Sequence, residues 1–243
     1  MVTNYCIFSR QVNKFMKKYL LLLLLLPAFA RAQTRPSNQN LFDTIPFIPD
    51  HTTERLEQFK KQPVTQGGTI FLGNSITEMG NWPKLLNDTT VLNRGIGGDI
   101  TYGVLKRIDD VINRHPKKLF ILLGINDIGK DIPDSVIAYN YFKIISKVKA
   151  GSPATKIYVQ SILPINPTIK NFPQHYDKAE HIPWVNAMLK ANAAKMGYTY
   201  INLHPLFIDA QNRLDAKYTY EGLHLKPEAY VVWVAYLKKM NYL

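Results

Sequence analysis

Short apolar runs alternate with amphipathic stretches along most of this 243-residue chain. The third apolar run, at 118–123, is nearly continuous, which is typical of a strand buried on both faces of a parallel sheet. The alternation of strands with helices predicts an α/β fold, a three-layer, doubly wound sheet of about five parallel strands with helices on both faces. The predicted strands are 69–72, 91–93, 118–123, 157–162 and 198–203, and the predicted helices are 51–61, 102–114, 134–149, 183–195 and 227–240.

The first 32 residues follow a different pattern. Two lysines precede an unbroken leucine run at 20–26, and the small-residue sequence Ala-Arg-Ala follows at 30–32. This order is typical of a secretory signal peptide, and the leucine run is shorter than the ~20 residues needed to span a bilayer. We therefore expect residues 1–32 to be removed and the protein to reach a periplasm or the extracellular space. The residues before Met16 add nothing to such a signal, so we expect translation to start there; a long basic leader is the alternative.

The rest of the chain is expected to form one domain. Residues 33–65 are predicted to be a polar tether with one short helix, and 66–243 a single globular domain. The only cysteine, Cys6, lies in the removable segment, which leaves the mature chain no thiol for a disulfide, a metal site or catalysis.

The chain is basic without a concentrated basic patch. Five basic residues and no acids precede Gln33, so the formal charge of +12 falls to +7 in the mature chain. These charges, such as Lys106-Arg107, are spread along the sequence without interleaved aromatic residues. This pattern predicts a solvated surface and no nucleic-acid partner.

Residues with useful chemistry follow the first three predicted strands. Ser75 follows the first strand, the glycine-rich sequence at 95–98 follows the second, and Asn126 follows the third. Because the carboxyl ends of parallel strands meet at one edge of a sheet, these loops should open onto the same edge. Each signal is weak alone: a serine in a turn commonly caps a helix, and the glycines lack G-x-G-x-x-G spacing.

Near the other end of the chain, Glu221 and His224 lie three residues apart, just before a predicted helix. A serine becomes a useful nucleophile when a histidine accepts its proton and a carboxylate orients that histidine. The backbone N–H groups of Ser75 and Gly98, together with the Asn126 side chain, would supply three donors to an oxyanion. The sequence therefore predicts a serine esterase, with Ser75, His224 and Glu221 as its catalytic residues.

The motifs G-N-S-I-T, N-R-G-I-G-G-D-I-T, G-I-N-D and E-G-L-H, in this order, resemble the four blocks of the SGNH, or GDSL-like, hydrolase family. The resemblance covers about residues 68–240 and is strongest to the secreted acetylesterase and platelet-activating-factor-acetylhydrolase-like branch. It implies a flavodoxin-like sheet, Ser75 as nucleophile, Gly98 and Asn126 as oxyanion donors, and His224 as base. The implied reaction needs no metal and no organic cofactor.

Two residues depart from the family pattern, because Asn74 and Glu221 stand where the family usually has aspartate. A Ser–His dyad oriented by a backbone carbonyl is therefore an alternative to a triad containing Glu221. Asn74 and Trp82 are predicted to contact substrate. The long connection at 163–181 either walls the cleft or is a plain surface connection.

The expected function is that of an exported esterase that removes O-acetyl or other short acyl groups from carbohydrate or glycan. One alternative is a lysophospholipase or thioesterase that acts on longer acyl chains, and another is an inactive carbohydrate-binding module. The expected partner is a small-molecule or glycan ester, with no stable membrane insertion once the signal peptide is cleaved.

Overall fold

The computed structural model describes residues 51–169 and 172–243, which contain a five-stranded parallel sheet. The predicted signal peptide and most of the predicted tether lie outside these residues. The elements in chain order are α1 (Thr52–Lys61), β1 (Thr69–Gly73), α2 (Ser75–Glu78), α3 (Trp82–Leu86), β2 (Leu92–Gly95), α4 (Thr101–Ile112), β3 (Lys118–Leu122), α5 (Ile125–Gly129), α6 (Asp134–Gly151), β4 (Lys156–Gln160), α7 (Pro173–Tyr176), α8 (His181–Met196), β5 (Thr199–Ile201) and α9 (Pro227–Lys239), with single 3₁₀ turns at His204–Leu206 and Ala216–Tyr218.

The strand order is β2-β1-β3-β4-β5, and every pairing is parallel. After β1 the chain crosses to β2 on one side and then returns to β3 on the other, so the order reverses at β1. Helix α6 packs against α4 and α8, whereas α9 packs against α3. The predicted doubly wound α/β fold is therefore confirmed. In such sheets, ligands bind beyond the carboxyl ends of the strands where the order reverses.

Burial explains the continuous apolar runs. In β3, the four residues after Lys118 are all buried, because helices cover both faces of the sheet. The apolar residues of α6 predicted to share one face are also buried. Within the described part of the chain, no helix is long and apolar enough to cross a membrane.

An aromatic cluster fills the core beneath α2 and α3. The indole of Trp82 stacks on the ring of Phe71 at 3.9 Å and meets Trp233 edge-on at 5.1 Å. Its Nε1 donates a hydrogen bond to the backbone oxygen of Thr77 at 2.8 Å. Trp82 is 0% exposed. The prediction that Trp82 contacts substrate is therefore wrong, because its whole side chain lies in the core.

Replacing Trp82 with alanine should lower the free energy of unfolding by about 3–5 kcal/mol, because it removes a buried aromatic side chain and leaves a cavity. Urea denaturation followed by circular dichroism measures this change. The matched control is Trp184→Ala in α8: Trp184 is 68% exposed, so its loss should change stability by no more than ~0.5 kcal/mol. Equal effects of the two substitutions would contradict the core assignment.

Candidate active site

Ser75, His224 and Glu221 form a continuous chain of hydrogen bonds. The Oγ of Ser75 lies 2.9 Å from the Nε2 of His224, and the Nδ1 of His224 lies 2.5 Å from the Oε1 of Glu221. The same carboxylate oxygen accepts the backbone N–H of His224 at 2.7 Å. An ionised carboxylate only accepts hydrogen bonds, so it favours the tautomer with its proton on Nδ1. The lone pair of Nε2 then faces the serine hydroxyl, which is the arrangement that a general base requires.

The position of Ser75 follows from the end of β1. Asn74 caps α2, because its Oδ1 accepts the backbone N–H of Ile76 at 3.1 Å, and Ser75 is the first residue of that helix. The side chain of Asn74 is wholly buried. The prediction that Asn74 contacts substrate is therefore wrong: its amide shapes the turn that presents Ser75.

The loop that carries His224 rests on the long connection at 163–181. Gly222 has a φ of +90°, and a Cβ there would lie 2.4 Å from the backbone oxygen of Asn166. The N–H of Asn166 donates to the Gly222 oxygen at 2.8 Å. The ring of Phe172 meets the imidazole of His224 edge-on, with centroids 5.4 Å apart. The long connection thus supports the histidine and reaches the site through Phe172.

Potential oxyanion donors come from the loops after β1, β2 and β3. The Nδ2 of Asn126 donates one proton to the Asp99 backbone oxygen at 2.9 Å, which leaves its second amide proton for a ligand. Gly98 adopts a φ of +75°. Among the described residues, neither the Ser75 N–H nor the Gly98 N–H donates a hydrogen bond. Three donors therefore follow adjacent strand ends, and their role in catalysis stays a prediction.

Arg107 joins these strand ends from α4. Its Nε donates to the Oδ2 of Asp99 at 2.8 Å, and its two other nitrogens donate to the backbone oxygens of Arg94 and Gly73 at 3.0 and 3.1 Å. Burial raises the pKa of Asp99, and the charge of Arg107 opposes that shift. The sequence placed Arg107 among surface charges, but its side chain is only 8% exposed. Its spacing, three residues after the buried Val104 and four before the buried Val111, is the signal that could have identified it.

Asp127 links the Asn126 loop to the start of α4. Its Oδ1 accepts the backbone N–H and the hydroxyl of Thr101 at 3.0 and 2.5 Å, and Asn140 donates to the same hydroxyl at 2.9 Å. Asp127 is wholly buried, and this burial raises its pKa to about 7 against the opposing hydrogen bonds from Thr101. The network holds Asn126 beside the glycine-rich loop.

His175 is a buried histidine close to the site that sequence patterns did not single out. It is 5% exposed and packs against Phe172. Burial, together with the neighbouring His224 and Lys178, lowers the pKa of His175 to about 4. The ring of His175 is therefore neutral near pH 7.

The chain is also similar to known proteins. The model of the GDSL-like lipase/acylhydrolase family matches residues 71–232. An arylesterase of Vibrio mimicus is 28% identical over 73% of this chain and 86% of its own length. The platelet-activating factor acetylhydrolase IB subunit alpha2 of Gallus gallus is 24% identical over 66% and 70%. A solved Bacteroides fragilis structure, provisionally named an acylhydrolase, superposes with a TM-score of 0.69 at 26% identity and covers 77% of this chain and 94% of its own.

The raised pKa of Asp127 predicts that part of the stability depends on pH. A buried acid whose pKa is higher in the folded than in the unfolded state contributes most to folding stability at pH values below its unfolded pKa. For Asp127 this contribution is lost as pH rises through about 7. One pKa unit corresponds to about 1.4 kcal/mol. Between about pH 5 and pH 8, wild type should therefore lose at least ~1 kcal/mol more unfolding free energy than Asp127→Asn.

Urea denaturation at both pH values measures the difference. The control is Asp109→Asn, because Asp109 is exposed on α4, the helix whose first residue Thr101 is bonded to Asp127, and this variant should follow wild type. Parallel pH dependence in wild type and Asp127→Asn would show that the Asp127 carboxyl does not titrate in this range.

Proposed function

The chain belongs to the GDSL-like lipase/acylhydrolase family and is a carboxylic ester hydrolase, and from that premise we propose that it is an exported serine esterase that removes acetyl or other short acyl groups from carbohydrate. The observation that carries the serine mechanism is the contact of 2.9 Å between the Ser75 Oγ and the His224 Nε2. This preformed pair also argues against an inactive binding module, because a module that only binds sugars needs no nucleophile and base in contact.

The proposed reaction has two steps. The Oγ of Ser75 attacks the ester carbonyl carbon while the Nε2 of His224 takes the hydroxyl proton, and Glu221 stabilises the imidazolium that forms. The N–H groups of Ser75 and Gly98 and the Asn126 amide bind the negative oxygen of the tetrahedral intermediate. This intermediate expels the alcohol, to which His224 gives its proton. Water, deprotonated by His224, then attacks the acyl-serine and releases the acid.

A short acyl group is supported by the relatives and by the surface. The Gallus gallus relative is named as an acetylhydrolase and the Vibrio mimicus relative as an arylesterase. Two cavities, of about 540 and 580 Å³, are large enough for a long chain, and neither is lined by Ser75 or His224. Ser75 and His224 are partly exposed, which suits an ester whose alcohol part is large and polar. The predicted signal peptide supports export to where such glycans occur.

The longer-chain alternative is favoured by one observation. The Met79 N–H donates to the Ser75 backbone oxygen at 2.9 Å, which places Met79 one helical turn after the proposed nucleophile. Met79 also lines the cavity of about 540 Å³, whose other lining residues are Asn81, Lys84, Leu85, Tyr220, Leu225, Pro227, Tyr230 and Val231. A long acyl chain that reached this mostly apolar cavity would be bound there.

Hydrolysis of p-nitrophenyl acetate and octanoate by wild type and Ser75→Ala tests the proposal. We expect acetate to be preferred at least about tenfold and Ser75→Ala to lose at least ~10³-fold in kcat/KM. Ser146→Ala, which changes an exposed serine of α6, should match wild type. Equal turnover by wild type and Ser75→Ala would refute the nucleophile, and a preference for octanoate would support the longer-chain alternative.

Glu221→Gln tests whether the glutamate completes a triad. Glutamine keeps the shape but cannot stabilise the imidazolium by charge, so kcat/KM should fall by ~10²–10⁴ while the fold is retained. Glu228→Gln, at an exposed position in the first turn of α9, should be neutral. A loss below about tenfold would favour the Ser–His dyad, oriented by another group.

A further inference from the structure

We propose that helix α1, which precedes the residues matched by the family model, is part of the active site, with Arg55 and Glu78 as positioning residues for the glycine-rich loop at 95–98. The proposal rests on the proposed function, because the purpose of that loop is to present the Gly98 N–H to an oxyanion. Neither residue is expected to touch substrate. Both act through the backbone groups that they hold.

Arg55 reaches from α1 to the end of β2. Its Nη2 and Nε donate to the backbone oxygen of Gly95 at 3.0 and 3.2 Å. The Nε also lies 3.1 Å from the Oε1 of Glu78. Helix α1 is itself anchored, because the Phe59 side chain is buried and the Arg94 guanidinium lies over its ring at 4.4 Å. Arg55 therefore connects a fixed helix to the start of the loop.

Glu78 connects the nucleophile to the same loop. It is the last residue of α2, the short helix that begins at Ser75. Its Oε2 accepts the backbone N–H of Gly97 at 2.5 Å, one residue before Gly98. The Nε2 of His51 lies 3.1 Å from both the Oε2 of Glu78 and the Gly97 nitrogen. One rigid turn of helix thus carries the proposed nucleophile at one end and holds the oxyanion loop at the other.

The loop needs this support because of its composition. Glycines have no side chains to pack and more backbone freedom than other residues, so three glycines in four positions do not fix a peptide N–H by themselves. Arg107 holds the far end of the loop at Asp99, and the Arg55–Glu78 pair holds the near end at Gly95 and Gly97. Gly98 lies between the two supports. An error of ~1 Å in a catalytic group can cost up to ~10²-fold in rate.

The effect of this support on activity can be separated from its effect on stability. The side chains of Arg55 and Glu78 are 19% and 24% exposed, and ion pairs near the surface contribute about 1 kcal/mol or less to folding. Loss of Arg55 should therefore leave the protein folded and reduce mainly the stabilisation of the transition state. The loss should also be smaller than the ~10²–10³ that follows removal of an oxyanion donor itself.

The experiment compares Arg55→Ala, Arg55→Lys and Lys60→Ala in the full mature protein. Lys60→Ala is the matched control, because Lys60 is an exposed cation of the same helix and, among residues 51–169 and 172–243, pairs only with Glu57 at 2.7 Å. Three quantities are measured: kcat/KM for p-nitrophenyl acetate, the inhibition constant of phenylboronic acid, and the melting temperature. The serine oxygen adds to the boron of this inhibitor, and the tetrahedral anion that forms presents an oxygen to the oxyanion donors.

For Arg55→Ala we expect about a tenfold loss in kcat/KM and a parallel increase in the inhibition constant of phenylboronic acid. The melting temperature should stay within a few degrees of wild type. Arg55→Lys should recover part of both losses, because one ammonium donor can still reach the Gly95 oxygen. Lys60→Ala should resemble wild type in all three quantities.

Two results would overturn the inference while leaving the proposed function intact. One is an Arg55→Ala variant as active as Lys60→Ala. The other is a loss of activity explained by a large drop in melting temperature, with unchanged boronic acid binding by the folded fraction and no recovery in Arg55→Lys. A wild-type protein without ester turnover would overturn the proposed function and the inference with it.

Discussion

The guanidinium of Arg107 donates hydrogen bonds from all three of its nitrogens, and each bond reaches a different segment near Ser75. It holds the backbone at the ends of β1 and β2 and the carboxylate of Asp99. The backbone oxygen of Asp99 in turn accepts a hydrogen bond from the side-chain amide of Asn126. Removing one partner of such a buried pair commonly costs 3–5 kcal/mol, because the other charge is left uncompensated. The geometry of the predicted oxyanion donors therefore depends on this one cation.

A related constraint is electrostatic. An oxyanion site should not lie beside uncompensated negative charge, yet two buried aspartates flank the loops that carry Gly98 and Asn126. Arg107 neutralises Asp99 directly. Asp127 has no cation among its described hydrogen-bond partners, and its burial raises its pKa to about 7, so it carries a proton through much of the acidic range. The fold thus limits negative charge here by an ion pair in one case and by desolvation in the other.

Sequence patterns predicted the layer order and most elements, because hydrophobic periodicity reports burial directly. The motifs also predicted that Ser75, His224 and Glu221 lie together, although 149 residues separate the serine from the histidine. It failed for Trp82, whose neighbours Asn81 and Pro83 indicate an exposed turn. These neighbours instead start the short helix α3, and the indole turns inward onto the core.

The supports of the site were harder to predict than the site itself. Arg55 contacts Gly95 across 40 residues, and Glu78 contacts Gly97 across 19. A polar residue on a short helix has the same local pattern whether it faces solvent or a distant loop, and only the tertiary structure distinguishes the two. Arg107 shows the same limit, since the charge of its dipeptide with Lys106 indicated a solvated surface.

The glutamate at position 221 shows how a loop can accommodate a longer acid. One carboxylate oxygen accepts both the backbone N–H and the Nδ1 of His224, so the side chain folds back over the turn that joins the two residues. Such a turn requires the positive φ of Gly222 and its close contact with Asn166 of the long connection. Because the side chain folds back in this way, the extra methylene of glutamate relative to aspartate is accommodated, and the imidazole of His224 still contacts Ser75. The backbone of the loop, more than the choice of acid, therefore sets the orientation of His224.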